Sequence, residues 1–225
     1  MRLSFRIAKK LVIAFTVFNS ATVQATEISG MARIIDGDTL AIGTQIVRLH
    51  GIDAPENAQN CTRKNGKTYN CGAASEKALL KLLQKKTTCT GDSLDAYARL
   101  IAICISNDVV INREMVRTGH ALAYRKYSTD YVDDEDFASS TTNGMWEGRF
   151  EKPWNFRASK WKSATADAPL SDCPIKGNIN RKGDRIYHTP WSRSYKRTRI
   201  DTDKSERWFC TEAEALAAGW RAPYR

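Results

Sequence analysis

The stretch that decides the fold is residues 34–56, which read IIDGDTLAIGTQIVRLHGIDAPE. Apolar runs alternate there with short turn signals such as Asp36-Gly37-Asp38, a pattern that predicts a β-meander with short connections. In the strand expected over residues 45–49, Arg48 points away from the apolar face, because side chains alternate along a strand. A small β-barrel with polar groups at its strand ends follows from this pattern.

The charged residues of this stretch stand at the ends of the apolar runs. They are three carboxylates, Asp38, Asp53 and Glu56, and one guanidinium, Arg48. A residue at a turn and a residue at a strand end can converge on one side of a small barrel. Hard oxygen ligands beside an arginine suit a metal ion that faces a phosphate. Asp36 we interpret as a turn residue.

The first 25 residues have the pattern of a secretory signal peptide. Four basic residues precede the apolar run LVIAFTVF at 11–18, which is too short to span a bilayer. The small-x-small sequence Val23-Gln24-Ala25 predicts cleavage after Ala25, with an uncleaved membrane anchor as the alternative. No later segment resembles a transmembrane helix, so we expect a secreted or periplasmic protein without membrane contact after cleavage.

The positive charge lies mainly in the last quarter of the chain. The sequence has 35 basic and 25 acidic residues, net +10, and loss of the four basic residues of the signal leaves +6. Residues 171–225 hold 12 basic and 7 acidic residues, net +5, so the part before them is near neutral. A basic segment favours contact with nucleic acid or another anionic surface, although a solvated surface is an equal explanation for any single charge.

Six cysteines in an exported chain argue for disulfides. Proximity along the chain favours three pairs: Cys61 with Cys71 around a polar loop, Cys89 with Cys104 as cross-strand partners, and Cys173 with Cys210 around the C-terminal segment. Zinc is disfavoured because there is no C-x-x-C sequence and only three histidines are present.

The remaining pattern predicts helices at 72–86 and 133–146, a short helix capped by Asn112, and strands at 87–89 and 100–105. Residues 121–127 are expected to form an exposed aromatic and basic run, and Thr211 to Glu214 form a capping box. The domain organisation we predict is a signal peptide (1–25), a barrel domain (26–157), a linker (158–170) and a small basic C-terminal module (171–225).

Three ordered motifs resemble the staphylococcal nuclease (thermonuclease) family. They are IDGDT at 35–39, RLHGIDAPE at 48–56 and DAYAR at 95–99. Residues 112–119, Tyr124 and Trp146 follow in the family's order, so that the resemblance covers about residues 28–156. Any one motif alone is a weak signal, whereas the three in order are specific.

The resemblance implies an α+β fold, a five-stranded OB-fold barrel with three helices. It also implies calcium-dependent hydrolysis of DNA and RNA that leaves 3′-phosphate ends. Carried over by position, Asp38, Asp53 and the carbonyl of Ala54 would bind Ca²⁺. Arg48 and Arg99 would bind and polarise the phosphate, with Glu56 as the general base or water-orienting group. Tyr97 and Tyr124 would contact the nucleotide.

This chain departs from the namesake of the family in three places. Ala54 replaces a threonine, Ala96 replaces a lysine, and the spacing from Gly119 to Tyr124 is one residue shorter. The C-terminal part resembles a small module often appended to such nucleases and is distantly similar to Ada-type zinc modules. The metal cysteines of the latter are mostly missing, so zinc is not carried over.

Two function classes remain open at this point. One is a secreted nuclease that acts as a monomer on DNA and RNA, without a stable protein partner. The other is a catalytically silent OB-type module that binds nucleic acid or a partner. Because Asp38, Arg48, Asp53, Glu56 and Arg99 are all present, the sequence favours the enzyme.

Overall fold

The computed structural model describes residues 25–83, 85–166, 168–169 and 172–223. The predicted signal peptide therefore lies outside the described residues, apart from Ala25. The strands, in chain order, are β1 (Thr26–Gly30), β2 (Ala32–Ile34), β3 (Thr39–Ile42), β4 (Gln45–Leu49), β5 (Ile52–Asp53), β6 (Asn60–Thr62), β7 (Thr68–Asn70), β8 (Thr87–Leu94), β9 (Leu100–Ser106), β10 (Val109–Val110), β11 (Leu122–Ala123), β12 (Ile175–Ile179), β13 (Arg185–His188) and β14 (Arg207–Phe209). The α-helices are α1 (Cys71–Leu82), α2 (Ile111–Arg117), α3 (Val132–Ser140), α4 (Pro153–Thr165) and α5 (Glu212–Ala217), with 3₁₀ turns at Gly144–Glu147 and Thr202–Lys204.

The main sheet has the strand order β1-β8-β9-β4-β3-β2, with β10 added beside β9. Its two ends are joined, because only Met31 separates β1 from β2, and the sheet curls accordingly. The predicted α+β class is therefore confirmed. The sheet has seven strands where five are predicted, because Met31 divides one bent strand into two and the short β10 pairs with the end of β9.

Arg48 and the loop that carries Arg99 are neighbours because β4 and β9 pair in parallel. Val47 lies opposite Leu100 and Arg48 opposite Ile101. The hairpin of β8 and β9 delivers this loop, and a disulfide joins the cross-strand partners Cys89 and Cys104 inside it. Both cysteines are fully buried, so the bond fixes the hairpin from the core side.

The barrel core is apolar and is closed by α1, α2 and Tyr131. Asn112 is not the predicted cap of α2, whose N-cap is Val110. It is fully buried instead, and its amide donates to the carbonyls of His50 and Ala102 while its oxygen accepts from the Cys104 N–H. The same amide that suits a cap thus links three segments of the barrel.

The C-terminal module has a core of its own, formed by the three-stranded sheet β13-β12-β14 and α5. Cys173 and Cys210 are joined across it, and Cys61 and Cys71 are joined beside β6 and β7, as the spacing predicts. Half of the predicted capping box forms: the Thr211 hydroxyl accepts from the Glu214 N–H at 3.0 Å, while the Glu214 carboxylate accepts from the Cys210 N–H instead of that of Thr211.

Helix α4 occupies most of the segment that the sequence predicts as a linker. Residues 158–165 continue the helix that Pro153 begins, and proline suits this first turn. Phe156 is buried, while Trp161 packs on the core of the C-terminal module. Within the described ranges, no helix is long and apolar enough to cross a membrane.

Candidate active site

A cleft of about 850 Å³ lies over the ends of β4 and β5. It contains nearly all the side chains that the sequence singles out for chemistry. They include Asp38, Arg48, Ala54, Glu56, Tyr97, Arg99 and Tyr124. Asp53 lies beneath them and is fully buried.

Arg48 joins the two carboxylates proposed as metal ligands. Its Nη1 lies 2.9 Å from Oδ1 of Asp38 and its Nη2 lies 3.2 Å from Oδ1 of Asp53. Asp38 also accepts from the Thr39 hydroxyl and from the Ala54 N–H. The convergence expected from the turn and the strand end is therefore present, with one cation bridging both acids.

Two glycines allow the acidic loops to approach helix α1. A Cβ on Gly37 would lie 2.4 Å from Oγ of Ser75, and a Cβ on Gly72 would lie 2.0 Å from the backbone oxygen of Glu56. The turn Asp36-Gly37-Asp38 and the backbone of Glu56 therefore lie directly against the first turns of α1.

Asp36 has the turn role expected for it but also faces the cleft. Its Oδ1 accepts from the Asp38 N–H at 3.0 Å. Burial, together with the nearby charge of Asp38, raises the pKa of Asp36 to about 7. Asp36 therefore holds its proton up to a higher pH than an exposed aspartate does.

Asp95 holds Arg99 toward the cleft. Its carboxylate accepts from Nε of Arg99 at 2.7 Å and from the backbone N–H groups of Tyr97 and Arg99. The guanidinium carbon of Arg99 lies 5.0 Å from the centre of the Tyr97 ring. The sequence motif at 95–99 includes Asp95 but does not reveal that Asp95 positions Arg99.

Arg157, which the sequence does not single out, completes the site from α4. Its Nη2 lies 2.8 Å from Oδ2 of Asp53 and its Nη1 lies 2.7 Å from Oε1 of Glu56. The pKa of Arg157 is raised because these two carboxylates outweigh the effect of burial. A helix that includes Arg157 could have been predicted from Pro153, which suits a first helical turn, and from the apolar Trp154 and Phe156 that follow it.

Burial and neighbouring charges shift the pKa values of the acids in the cleft in different directions. Burial raises the pKa of Glu56 to about 8 and also raises the pKa of Asp53, although Arg157 opposes both shifts. For Asp38, burial is outweighed by Arg48 and by the Ala54 N–H, so its pKa is lowered. Burial therefore favours the protonated forms of Glu56 and Asp53, whereas Asp38 is held in its charged form beside Arg48.

The donor set fits a hard divalent cation. Asp38 and Asp53 offer carboxylate oxygens close enough for one guanidinium to bridge, and calcium prefers such oxygen ligands. No cluster of three or more histidine, cysteine or acidic side chains arranged for a metal occurs in the described part of the chain. The pair would need carbonyl, water and substrate oxygens to complete a coordination shell.

Residues 121–127 are less exposed than the sequence predicts. Residues 121–123 are buried because β11 pairs with β5, which sets Leu122 opposite Asp53. Tyr124 stacks on Trp154 with ring centres 5.4 Å apart, whereas Arg125, Lys126 and Tyr127 are exposed as predicted.

The opposite wall of the cleft comes from the C-terminal part. Trp161 of α4, Trp191 and Glu212 all line it. Sequence reasoning treats this part as a separate module, because nothing local in a sequence reveals which faces of two units meet.

Residues 46–148 match the profile of a family described as staphylococcal nuclease homologue. The chain is 33% identical over 143 residues to an uncharacterized endonuclease of Haemophilus influenzae, an alignment that covers 60% of this chain and 75% of the relative. The chain belongs to the staphylococcal nuclease family.

Two further relatives have different names. The succinoglycan biosynthesis protein ExoI of Rhizobium meliloti is 34% identical over 134 residues, which is 56% of this chain and 69% of the relative. A probable staphylococcal-like nuclease, CAN3 of Oryza sativa, is 29% identical over 126 residues, which is 54% of this chain and 30% of the relative. A second family profile, described as ArfC, matches residues 156–222 and thus begins within α4.

Proposed function

We propose that this staphylococcal nuclease homologue is a calcium-dependent nuclease that hydrolyses phosphodiester bonds of DNA and RNA and leaves 3′-phosphate ends. The observation that carries the proposal is the single cleft in which Asp38, Asp53 and Glu56 meet Arg48 and Arg99. The family membership and the endonuclease among its relatives support it.

The arginines suit the binding of a phosphate. A phosphodiester is anionic, and its hydrolysis accumulates charge on the non-bridging oxygens, which fixed hydrogen-bond donors can stabilise. Arg48 and Arg99 present planar forks of donors, a geometry that lysine does not reproduce. Asp95 restricts Arg99, so less side-chain freedom is lost when the phosphate binds.

Glu56 is suited to orient the attacking water or to take its proton. Its carboxylate is partly exposed to the cleft, and burial raises its pKa to about 8, which favours proton uptake near neutral pH. Arg157 limits the motion of Glu56 by its hydrogen bond to Oε1. Asp38, Asp53 and the carbonyl of Ala54 would hold Ca²⁺, which would supply positive charge beside the bound phosphate.

The other attributes of the proposal follow from the same features. Tyr97 and Tyr124 line the cleft and are proposed to contact the nucleotide. Three disulfides are typical of proteins that mature outside the cytoplasm, which supports a secreted or periplasmic location. We further propose a monomer that is released by signal cleavage after Ala25 and acts without a stable protein partner.

Incubation of the purified chain with single-stranded and duplex DNA and with RNA tests the proposal. Cutting is expected with Ca²⁺ and not with EGTA, and phosphatase treatment of a 5′-labelled product should change its mobility if the new end carries a 3′-phosphate. Glu56→Gln and Arg48→Ala should abolish cutting, whereas Lys162→Ala, an exposed change on α4, should not. Cutting that persists in EGTA refutes calcium dependence, and cutting that persists in both site variants refutes the assigned chemistry. A catalytically silent binding module, the alternative, would bind these nucleic acids without cutting them.

A further inference from the structure

The cleft has two walls of different chemistry. On the nuclease side lie the guanidinium groups of Arg48, Arg99 and Arg157. On the other side lie Trp191 and Glu212 of the C-terminal module, with Trp161 of α4 at the junction. A bound strand would therefore meet the arginines and the carboxylates proposed to hold Ca²⁺ on one side, and two tryptophans with Glu212 on the other.

The two tryptophans form an aromatic surface inside the cleft. Their ring centres are 6.2 Å apart and their planes are inclined by 36°. Trp161 packs against the core of the C-terminal module, whose buried members include Tyr187 and Phe209, so the surface is supported from behind. Aromatic side chains combined with arginines in a groove are the usual means of binding unpaired bases.

Glu212 is held at a fixed place in this wall. It follows the N-cap Thr211 at the start of α5, and its Oε2 accepts a hydrogen bond of 2.9 Å from the Tyr187 hydroxyl. Burial raises the pKa of Glu212, although the arginines of the opposite wall favour its charged form, and burial together with Glu212 raises the pKa of Tyr97 across the cleft. The carboxylate thus faces the cleft while its hydrogen-bond partner belongs to the module.

A carboxylate at this position discriminates between the two sides of a nucleotide strand. It repels the phosphate backbone, which the arginines attract, and it accepts hydrogen bonds from base N–H groups such as the amino group of cytosine. The strand is therefore expected to lie with its phosphates toward the arginines and its bases toward the module.

We propose that Trp191 and Glu212 form the base-binding wall of the nuclease cleft, with Trp191 stacking on an unpaired base and Glu212 accepting from the exocyclic amino group of that base. The inference rests on the proposed function, because it needs a nucleic acid in this cleft. It gives the C-terminal module a part in substrate selection. Bases within a duplex are already stacked and paired, so this wall favours single strands.

Binding without cleavage tests the inference. Fluorescence anisotropy of short labelled oligonucleotides is measured with Ca²⁺ in the Glu56→Gln background of the full chain. Trp191→Ala should weaken single-strand binding at least about fivefold, and Trp191→Phe should restore most of it. Glu212→Gln should lower the preference for oligodeoxycytidine over oligothymidine by at least about fivefold. The matched control is Glu214→Gln on the same helix, whose carboxylate accepts from the Cys210 N–H and which should leave the preference unchanged.

Thermal unfolding of each variant shows whether the module is still folded. If folded Trp191→Ala binds as tightly as its parent, or if Glu212→Gln keeps the parent's preference, the inference is wrong while the nuclease proposal stands. If the Glu56→Gln background binds no oligonucleotide and the wild-type chain cuts none, both are refuted.

Discussion

Removal of the Arg157 side chain tests how much its ion pairs with Asp53 and Glu56 stabilise the fold. In Arg157→Ala, fully buried Asp53 and partly buried Glu56 lose hydrogen bonds of 2.8 and 2.7 Å to one guanidinium. Loss of one partner of a buried ion pair typically costs about 3–5 kcal/mol. Arg48 remains 3.2 Å from Asp53, and the Arg157 side chain is 20% exposed, so solvent screens part of the interaction.

We therefore expect a loss of about 2–3 kcal/mol in the free energy of unfolding, measured in EDTA. For a chain of this size, that loss lowers the melting temperature by about 4–12 °C. Ca²⁺ should recover more stability in the variant than in the wild type, because the ion then replaces a missing positive charge as well as binding to the folded state. Differential scanning calorimetry with EDTA and with excess Ca²⁺ measures both quantities.

The control for this experiment is Lys162→Ala, which removes an exposed charge from the same helix. It should change the melting temperature by no more than about 1–2 °C under either condition. The reasoning is refuted if Arg157→Ala and Lys162→Ala lose the same stability in EDTA. It is also refuted if Ca²⁺ raises the melting temperature of Arg157→Ala no more than that of the wild type.

Arg99→Lys should lower kcat about 100-fold or more in a steady-state cleavage assay, because one planar fork of donors is lost; an unchanged kcat would contradict its contact with phosphate. Asp95→Ala should lower kcat about tenfold, an order-of-magnitude value for a positioning contact, and a kcat equal to that of the wild type would show that Arg99 needs no support. The double change Cys89→Ser and Cys104→Ser should cost about 2–4 kcal/mol in urea unfolding at pH 7, and equal stability would show that the disulfide does not stabilise the hairpin. In EDTA, the free energy of unfolding should fall as pH rises from about 5 to about 8. Burial raises the pKa of Glu56 to about 8 and that of Asp36 to about 7, so the folded chain holds protons that the unfolded chain has released. A free energy of unfolding that stays constant over this pH range, measured by urea denaturation, would contradict those shifts.

The local part of the site could be predicted from the sequence. Asp38, Arg48 and Asp53 lie within sixteen residues of one meander. Because side chains alternate along a strand and the turns are short, these three side chains must lie close together. The cysteine pairs could be predicted for the same reason, since each pair brackets one loop, hairpin or module.

The parts that depend on distant contacts could not be predicted. Residues 158–165 are mostly small and polar, yet they continue a helix in which Phe156 is buried and Trp161 packs on the core of the C-terminal module. Trp191 and Glu212 enter the cleft only because two units dock, which no periodicity records. The role of Asn112 could not be predicted for a different reason, because an amide suits a helix cap and a buried link equally well.

The ion pair between Arg157 and Asp53 joins residues 104 positions apart, which gives the order of synthesis a consequence. A ribosome makes the acids of the barrel, including Asp53 and Glu56, before it makes the arginine that pairs with both of them. The nascent barrel therefore lacks the ion pairs of Arg157 with Asp53 and Glu56 until α4 emerges, and the opposite wall is added later still. A message cut short after the barrel would thus yield a chain with the family's motifs but with an unfinished centre.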